Sequence, residues 1–312
     1  MQWTDRIGRR LKLRDLHILL TVAKSGSMGK AATDLAISQP SVSKAIAEVE
    51  HAVGLRLLDR GAHGIEPTIY GRALLQCGVA VFDELRQGVK SLEFLADPGT
   101  GELRIGCSES LAAGFISVVV DRLSRQHPRA VFHVVPADPT ALIDRELRQR
   151  NIELAITWAP ESSACDDLNI EILFNDRHIL MAGTKSKWIR RRKITWADLI
   201  KEPWVLPPPD SALGSCIAER FRAGGLEPPH ANVVSFSIPL HHRMLATGRF
   251  VTLLPVSILQ FTENLPLKAL PLESPVSPRP IGVMTVQGRT LSPLAQAFID
   301  CARAIAKPLA KR

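Results

Sequence analysis

Aromatic residues are scarce in this chain, at 5% of 312 positions, and there is a single tyrosine, Tyr70. No apolar run approaches the roughly 20 residues that a membrane helix requires, which excludes a helical span. The opening segment, MQWTDRIGRRLKLRD, is charged throughout and has no apolar centre, so it does not read as a secretory signal and the cytoplasm is the expected compartment. Cysteine is also sparse. Cys77, Cys107, Cys165, Cys216 and Cys301 are far apart, odd in number and form no C-x-x-C pair. They read as reduced core thiols, with no neighbouring cysteine to resolve an oxidised one.

What is present is a soluble, globular composition: 46% apolar, 22% charged, with a mean hydropathy of +0.06. The length suits two or three domains, each with its own core. The net charge of +8 and a pI near 9.5 favour a polyanionic partner. Residues 11–70 nevertheless hold seven Lys/Arg against six Asp/Glu, a net of only +1. If that segment binds DNA, its geometry must do more than its bulk charge.

The first 70 residues read as three short helices and a β-wing. RDLHILLTVAKSG places Leu16, Leu19, Leu20 and Ala23 on one face and ends at Gly26, a natural C-cap. Ser27 is a candidate N-cap for the alanine-rich MGKAATDLAI, and Ser38 for the helix that follows. Pro40 sits in the first turn of that third helix, where no intrahelical N–H bond is lost. Val42, Ile46, Val49 and Val53 form its apolar stripe, which leaves Pro40, Ser43, Lys44, Ala47 and His51 on the opposite side. GLRLLDRGAHGIEPT then reads as a strand, a turn and a second strand. A long helix is expected from Thr68 to about Ala96, with a seam of Phe82, Leu85, Val89 and Leu92 that calls for a partner surface.

The segment ADPGTGE breaks this helix and reads as a hinge. Beyond it, strands such as ELRIGC, AVFHVV, IELAITW, HILMAG, FVTLLP and IGVMTV alternate with helices, a pattern that builds parallel α/β sheets. About 210 residues suffice for two such subdomains with a ligand cleft between them. The fold class is therefore α/β with an N-terminal winged helix-turn-helix. The expected boundaries are 1–10 for a basic arm, 11–68 for the winged helix-turn-helix, 69–97 for the linker helix and 98–312 for the two subdomains.

A helix fits the DNA major groove, and a helix-turn-helix presents the start of its second helix to base edges. Ser43 and Ala47 are small enough for close approach, Gln39 has the group that reads adenine, and the backbone N–H groups from Ser38 to Ser41 suit a phosphate. A packing module with a merely solvated face is the bland alternative. The run LRDLHILLTVAKSGSMGKAATDLAISQPSVSKAIAEVEHAVGLRLLDR, followed by T..GRALL, resembles the DNA-binding domain of LysR-type transcriptional regulators over about 80 contiguous residues. The resemblance implies a winged helix-turn-helix, a dimerising linker helix and a C-terminal effector domain of the type II periplasmic-binding-protein fold. It further implies assembly as a homodimer or homotetramer, binding to imperfect palindromes in double-stranded promoter DNA, and RNA polymerase as a further partner. Carried onto this sequence, Gln39, Pro40, Ser43 and Lys44 belong to the recognition helix, Arg60 and His63 to the wing, and Thr68 caps the linker helix beside DNA. His63 stands where the family commonly has arginine or lysine, and Ile69 where it tends to have proline. Ala45 and Ala47 are smaller than the polar residues often found there.

The second candidate site is the cleft. Ser108 and Ser110 open a helix after the first effector strand, and Asp210 and Ser211 precede another. Helix starts with hydroxyls of this kind suit a small anion, typically a carboxylate. In the family's arrangement Thr157 and Ser235 or Ser237 complete the cleft, whose effector is expected to be an organic acid or a sugar. Glu109 lies among these serines and would repel a carboxylate, and any one of the serines is equally well explained as a helix cap.

Three other features carry less. The adjacent His241 and His242 point about 100° apart on a helix and do not chelate a metal easily, so both read as surface residues. WIRRRK at 188–193 reads as a solvated loop, and RIGRR as an arm near solvent or the minor groove. No cofactor and no metal is expected. The competing reading is an α/β enzyme acting on a small anionic substrate. Against it, GCSES has Ser110 where G-x-S-x-G needs glycine, P-loop and H-E-x-x-H are missing, and Tyr70 lies outside the α/β region. A solute-binding transport protein would need an export signal.

Overall fold

The computed structural model describes residues 10–61, 64–160, 165–261, 266–272 and 277–309, apart from the side chains of Arg60 and Arg220. The chain forms two compact units, one ending at Arg86 and the other running from Gln87 to Arg312. The first contains α1 (Leu13–Ser25), α2 (Met28–Asp34), α3 (Gln39–Val53), β1 (Leu58–Gly61), β2 (Gly64–Pro67) and the opening part of α4 (Ile69–Ala96).

The capping signals operate as the sequence suggests. Gly26 closes α1 in the left-handed conformation at φ 63°, which costs glycine nothing, and its N–H donates to Val22 O. Ser27 and Ser38 accept from Lys30 N and Ser41 N to cap α2 and α3. Val42, Ile46 and Val49 are almost fully buried, at a gain of roughly 1.5–3 kcal/mol each, and Val53 packs on the same core half-buried. Ala45 is buried there too, so it faces the core and not the groove. Glu50 Oε1 accepts from Leu57 N and Leu58 N at 2.7 and 3.2 Å, which ties the last turn of α3 to the wing. At Gly71 a Cβ would lie 2.0 Å from Leu57 O, so only glycine permits this approach of α4 to the wing.

Helix α4 has 28 residues, about 42 Å of helix. Its expected seam divides. Phe82 turns to the helix-turn-helix core, its ring 5.5 Å from that of His17, whereas Leu85, Val89 and Leu92 are exposed, together with Val81 and Leu95.

After α4 the second unit runs β3 (Thr100–Cys107), α5 (Glu109–Leu111), a π-turn at Ala112–Ile116, α6 (Ser117–Gln126), β4 (Arg129–Pro136) and α7 (Pro139–Ala141) with a second π-turn at Leu142–Leu147. It continues through β5 (Leu154–Trp158), β6 (Leu168–Asp176), β7 (His178–Gly183), α8 (Trp196–Leu199), β8 (Trp204–Leu206), α9 (Ala212–Ala223), β9 (Ala231–Val234) and α10 (Ile238–Ala246). The remaining elements are β10 (Val251–Pro255), α11 (Val256–Phe261), β11 (Leu267–Ala269), β12 (Arg279–Val286) and α12 (Pro293–Ala306).

Two five-stranded sheets result, ordered β4-β3-β5-β12-β6 and β11-β7-β10-β8-β9. They are mixed, not parallel throughout as the alternation suggests. The β4-β3-β5 and β10-β8-β9 strands are parallel, while β12 and β7 run against their neighbours. The reversed strands are those on which the chain crosses: β6 passes through Arg177 straight into β7, and β12 returns the chain to the first sheet. Each sheet has its own core, one around Phe115, Ile105 and Phe298, the other around Trp204, Phe221 and Leu253. At the crossing, Ser257 Oγ donates to the buried Asp176 carboxylate at 2.5 Å, and burial pushes that carboxyl's pKa up. Among the described residues no helix is long and apolar enough to cross a membrane.

Candidate functional site

The outward side of α3 carries the first set of candidates. Ser38, Gln39, Pro40, Ser41, Lys44, Ala47, Glu48 and His51 are exposed and Ser43 is half-buried, while the valine stripe anchors the helix from behind. The Ser38 and Ser41 hydroxyls lie 2.8 Å apart. Ser41 N–H is taken by Ser38 Oγ and Pro40 has no N–H, so the helix start offers a phosphate less backbone than the sequence suggests. Lys44 Nζ stands 3.9 Å from Glu48 Oε1, a loose i,i+4 pair that leaves the lysine side chain 79% exposed. Thr68 donates to Arg56 O at 2.9 Å and accepts from Gly71 N at 3.0 Å, so its hydroxyl is committed to capping α4. Arg60 lies on β1, but its side chain, like His63 and residues 1–9 of the arm, falls outside the described residues. Sequence reasoning missed Lys12, which borders a shallow depression together with Arg10 of the expected arm, Lys44, Ala47, Glu48 and His51. Its only signal was the basic run ahead of α1.

The second unit holds a cavity of about 200 Å³, small beside the roughly 300–1,000 Å³ of drug-sized sites. Ser108, Ser110, Thr157 and Ser235 line it. Ser211 and Ser237 do not. Ser211 Oγ donates to Pro208 O and accepts from Gly214 N at the start of α9, and Ser237 Oγ accepts from Leu240 N at the start of α10. These two hydroxyls act as caps.

Glu109, Asp138, Trp158, His178, Phe236 and His241 also line the cavity. Thr157 on β5 is fully buried and its Oγ1 has no hydrogen-bond partner among the described residues; the same holds for Asp138 Oδ2 and His178 Nδ1. Asp138 caps α7 with its other oxygen, which accepts from Thr140 N at 3.0 Å. Burial holds the His178 imidazole down at about 4, with Arg279 adding to the effect, so it is neutral at physiological pH. Its ring meets Trp158 edge-on at 5.5 Å. Beneath Ser108, burial pushes the Cys107 thiol up to about 12, which makes it inert.

His241 is not the surface residue that sequence reading expects. It is buried, its Nε2 donates to Ser235 O at 2.9 Å, and its Nδ1 lies 3.2 Å from Thr252 Oγ1, whose single proton has Val205 O as a second acceptor. The signal was available, because His241 falls three residues after Ile238 and four before Leu245 on the apolar face of α10.

A winged helix-turn-helix with an outward polar helix, followed by a two-sheet unit whose largely apolar cavity carries a few polar groups, is the architecture of a ligand-responsive DNA-binding regulator. Comparison with known proteins gives the family: residues 13–72 match the bacterial regulatory helix-turn-helix protein model of the lysR family, and residues 96–307 match the LysR substrate binding domain. The chain belongs to the LysR family of transcriptional regulators, and neither matched domain is an enzyme's. It is 27% identical over 297 residues to the HTH-type transcriptional regulator GbpR of Azospirillum brasilense, across 95% of this chain and 86% of that protein. In fold it is similar to a full-length OxyR variant from Pseudomonas aeruginosa, with a TM-score of 0.64 and 19% identity over 97% of this chain and 98% of that one. It is also similar to full-length CbnR complexed with its target DNA, with a TM-score of 0.62 and 18% identity over 95% of this chain and all of that one.

Proposed function

We propose that α3 enters the major groove of promoter DNA and reads it with Gln39, Ser43 and Lys44, while Ser38, Pro40 and Ser41 fix its start against the backbone. Arg60 and His63 of the wing and Thr68 at the head of α4 flank that contact. The division of labour follows the boundaries 11–68 for DNA, 69–97 for dimerisation and 98–312 for the effector, with 1–10 as a basic arm. The exposed stripe Val81, Leu85, Val89, Leu92 and Leu95 supports a homodimer or homotetramer joined through α4. A small effector, of the organic-acid or sugar classes, binds in the cavity to Ser108, Ser110, Thr157 and Ser235, with Ser211 and Ser237 holding the helix starts beside it. Effector binding shifts the balance between arrangements of the dimers and so changes contacts with DNA and RNA polymerase. The protein works in the cytoplasm, where promoter DNA is.

The observation that carries the reading is the two-sided character of α3: an apolar stripe locked into the core and a polar side left in solvent at the helix start. Replacing Ser43 and Lys44 together by alanine tests it. Affinity for the promoter fragment is expected to fall about tenfold or more, and binding as tight as the parent's would overturn the assignment of α3.

A further inference from the structure

The cavity's lining also specifies the charge and shape of what it takes. Two carboxylates, Glu109 and Asp138, face it, and among the described residues no lysine or arginine lines it. His178 is held neutral by burial and supplies no positive charge. Arg279 stands 4.7 Å from the Trp158 ring centroid but does not line the cavity. A carboxylate ligand would therefore meet like charge in a half-buried setting where screening is weak.

The remaining polar groups are single hydrogen-bonding atoms spread over the walls. Thr157 Oγ1, Asp138 Oδ2 and His178 Nδ1 are buried without partners among the described residues, in three separate parts of the chain. Buried polar atoms are paired in nearly all folded proteins, so three orphans lining one cavity point to a ligand that completes them. Ser108 and Ser110 add a hydroxyl pair 3.3 Å apart, and Ser235 adds another group from the second sheet. A compact cation satisfies convergent acceptors. It does not satisfy donors and acceptors dispersed around a cavity, and a ring bearing several hydroxyls does. Trp158 and Phe236 supply flat apolar surface for the face of such a ring.

Resting on the reading of this cavity as the effector site, we propose that it takes an uncharged, polyhydroxylated ring of monosaccharide size, with Asp138 Oδ2 and Glu109 accepting hydroxyl protons, Thr157 completing the set and Trp158 lying against an apolar face.

The test uses the full-length chain and three groups of probes: D-glucose, D-xylose and myo-inositol; acetate, succinate and benzoate; and putrescine. At about 10 mM, at least one of the first group is expected to raise the melting temperature by about 2 °C or more, with the anions and putrescine inert. Asp138→Asn keeps an oxygen for the α7 cap and so stays folded, yet it should weaken polyol binding about tenfold by calorimetry, as should Glu109→Gln. A carboxylate or putrescine that shifts the parent more than any polyol, through a site abolished by Thr157→Val, overturns the ligand class and leaves the cavity as the effector site. Polyol binding indifferent to all three substitutions means that the reading of the cavity itself fails. An unmoved melting temperature with every probe overturns the proposal.

Discussion

The outward side of α3 and the cavity of the effector unit both present polar groups, the first as a polar surface in water, the second as a few buried atoms in a largely apolar wall. On α3 the side chains stand in water, and the two cap serines bond to each other while Lys44 keeps most of its surface exposed. Water is free to satisfy whatever the protein does not. In the cavity Thr157 Oγ1, Asp138 Oδ2 and His178 Nδ1 are cut off from water with nothing to bond among the described residues. An unpaired buried polar atom costs about 1–3 kcal/mol, so under the proposed function the atoms that bind the effector also cost the unit stability. Substitutions on α3 should therefore change affinity and leave stability alone. In the cavity the two should move in opposite directions.

The largest effect expected lies behind the DNA-reading side, not on it. Gly71→Val places a branched side chain where even a Cβ would sit 2.0 Å from Leu57 O. That carbonyl also accepts from Thr68 N, so it has little freedom to retreat. The cost should be about 4 kcal/mol or more, concentrated in the first unit. Hydrogen exchange should show α1, α2, α3 and the wing strands β1 and β2 opening while β3 to β5 keep their protection. Uniform protection would mean that the wing yields more easily than its bonds suggest.

Acid should single out the effector unit. The unfolded chain's imidazole titrates near its ordinary value of about 6.5, whereas burial holds His178 at about 4 in the fold. Between those values the unfolded state takes up a proton that the folded state refuses. Stability therefore falls as pH drops from 6.5 and levels off below pH 4, for a total loss of about 3 kcal/mol. Above pH 7 the group contributes nothing to the pH dependence. Asp176, whose carboxyl is raised by burial, acts with the opposite sign. Comparing urea unfolding of the parent with His178→Gln isolates the imidazole. The variant's curve should be flatter between pH 7 and 4.5, and coincident curves would show that His178 takes a proton in place.

Thr157→Val sharpens the contrast at a smaller scale. It exchanges an orphan hydroxyl for a methyl of similar size in a fully buried strand position. Chemical denaturation should report a gain of about 1 kcal/mol, with effector binding lost and promoter affinity unchanged. A destabilised variant would show that the hydroxyl has a bond in solution, for example to an ordered water.

The two regions were not equally legible. Local signals announce the DNA-binding unit: Gly26 in a left-handed cap, Ser27 and Ser38 as N-caps, Pro40 in a first turn and a stripe at helical spacing. Each depends on a few neighbours in sequence, so a linear reading recovers it. Ala45, which the family resemblance set beside Ala47, proves to be buried, because alanine fits a core as well as a groove. The cavity is assembled from strand ends far apart in the chain, and of its polar lining the serines, Thr157 and Glu109 were anticipated while Asp138, His178 and His241 were not. Ser211 drew attention for the capping that in fact occupies it, Ser237 came from the family resemblance and proves to be a cap too, while His178 looked like the start of an ordinary strand. The reversed strands β7 and β12 were hidden for a related reason, because alternation of strands and helices does not reveal where the chain leaves one sheet for another.

The smallest effect tests the α3 side of the contrast most directly. Lys44 is 79% exposed and only loosely paired with Glu48 at 3.9 Å, so Lys44→Ala should leave the melting temperature unchanged within about 1 °C. What it should change is the salt dependence of promoter binding. If the ammonium neutralises one phosphate, the slope of log affinity against log salt falls by about 0.9 and every operator variant weakens alike. If it instead reads a base edge, the slope stays and a single operator position loses its preference. Glu48→Ala gives the complementary result, because removing the carboxylate frees the ammonium and takes a negative charge away from the DNA, so affinity should rise. A rise in Glu48→Ala that persists when Lys44 is also alanine would place Glu48 itself beside the phosphates, and would put the positive charge of this surface on Arg10 and Lys12 at its border.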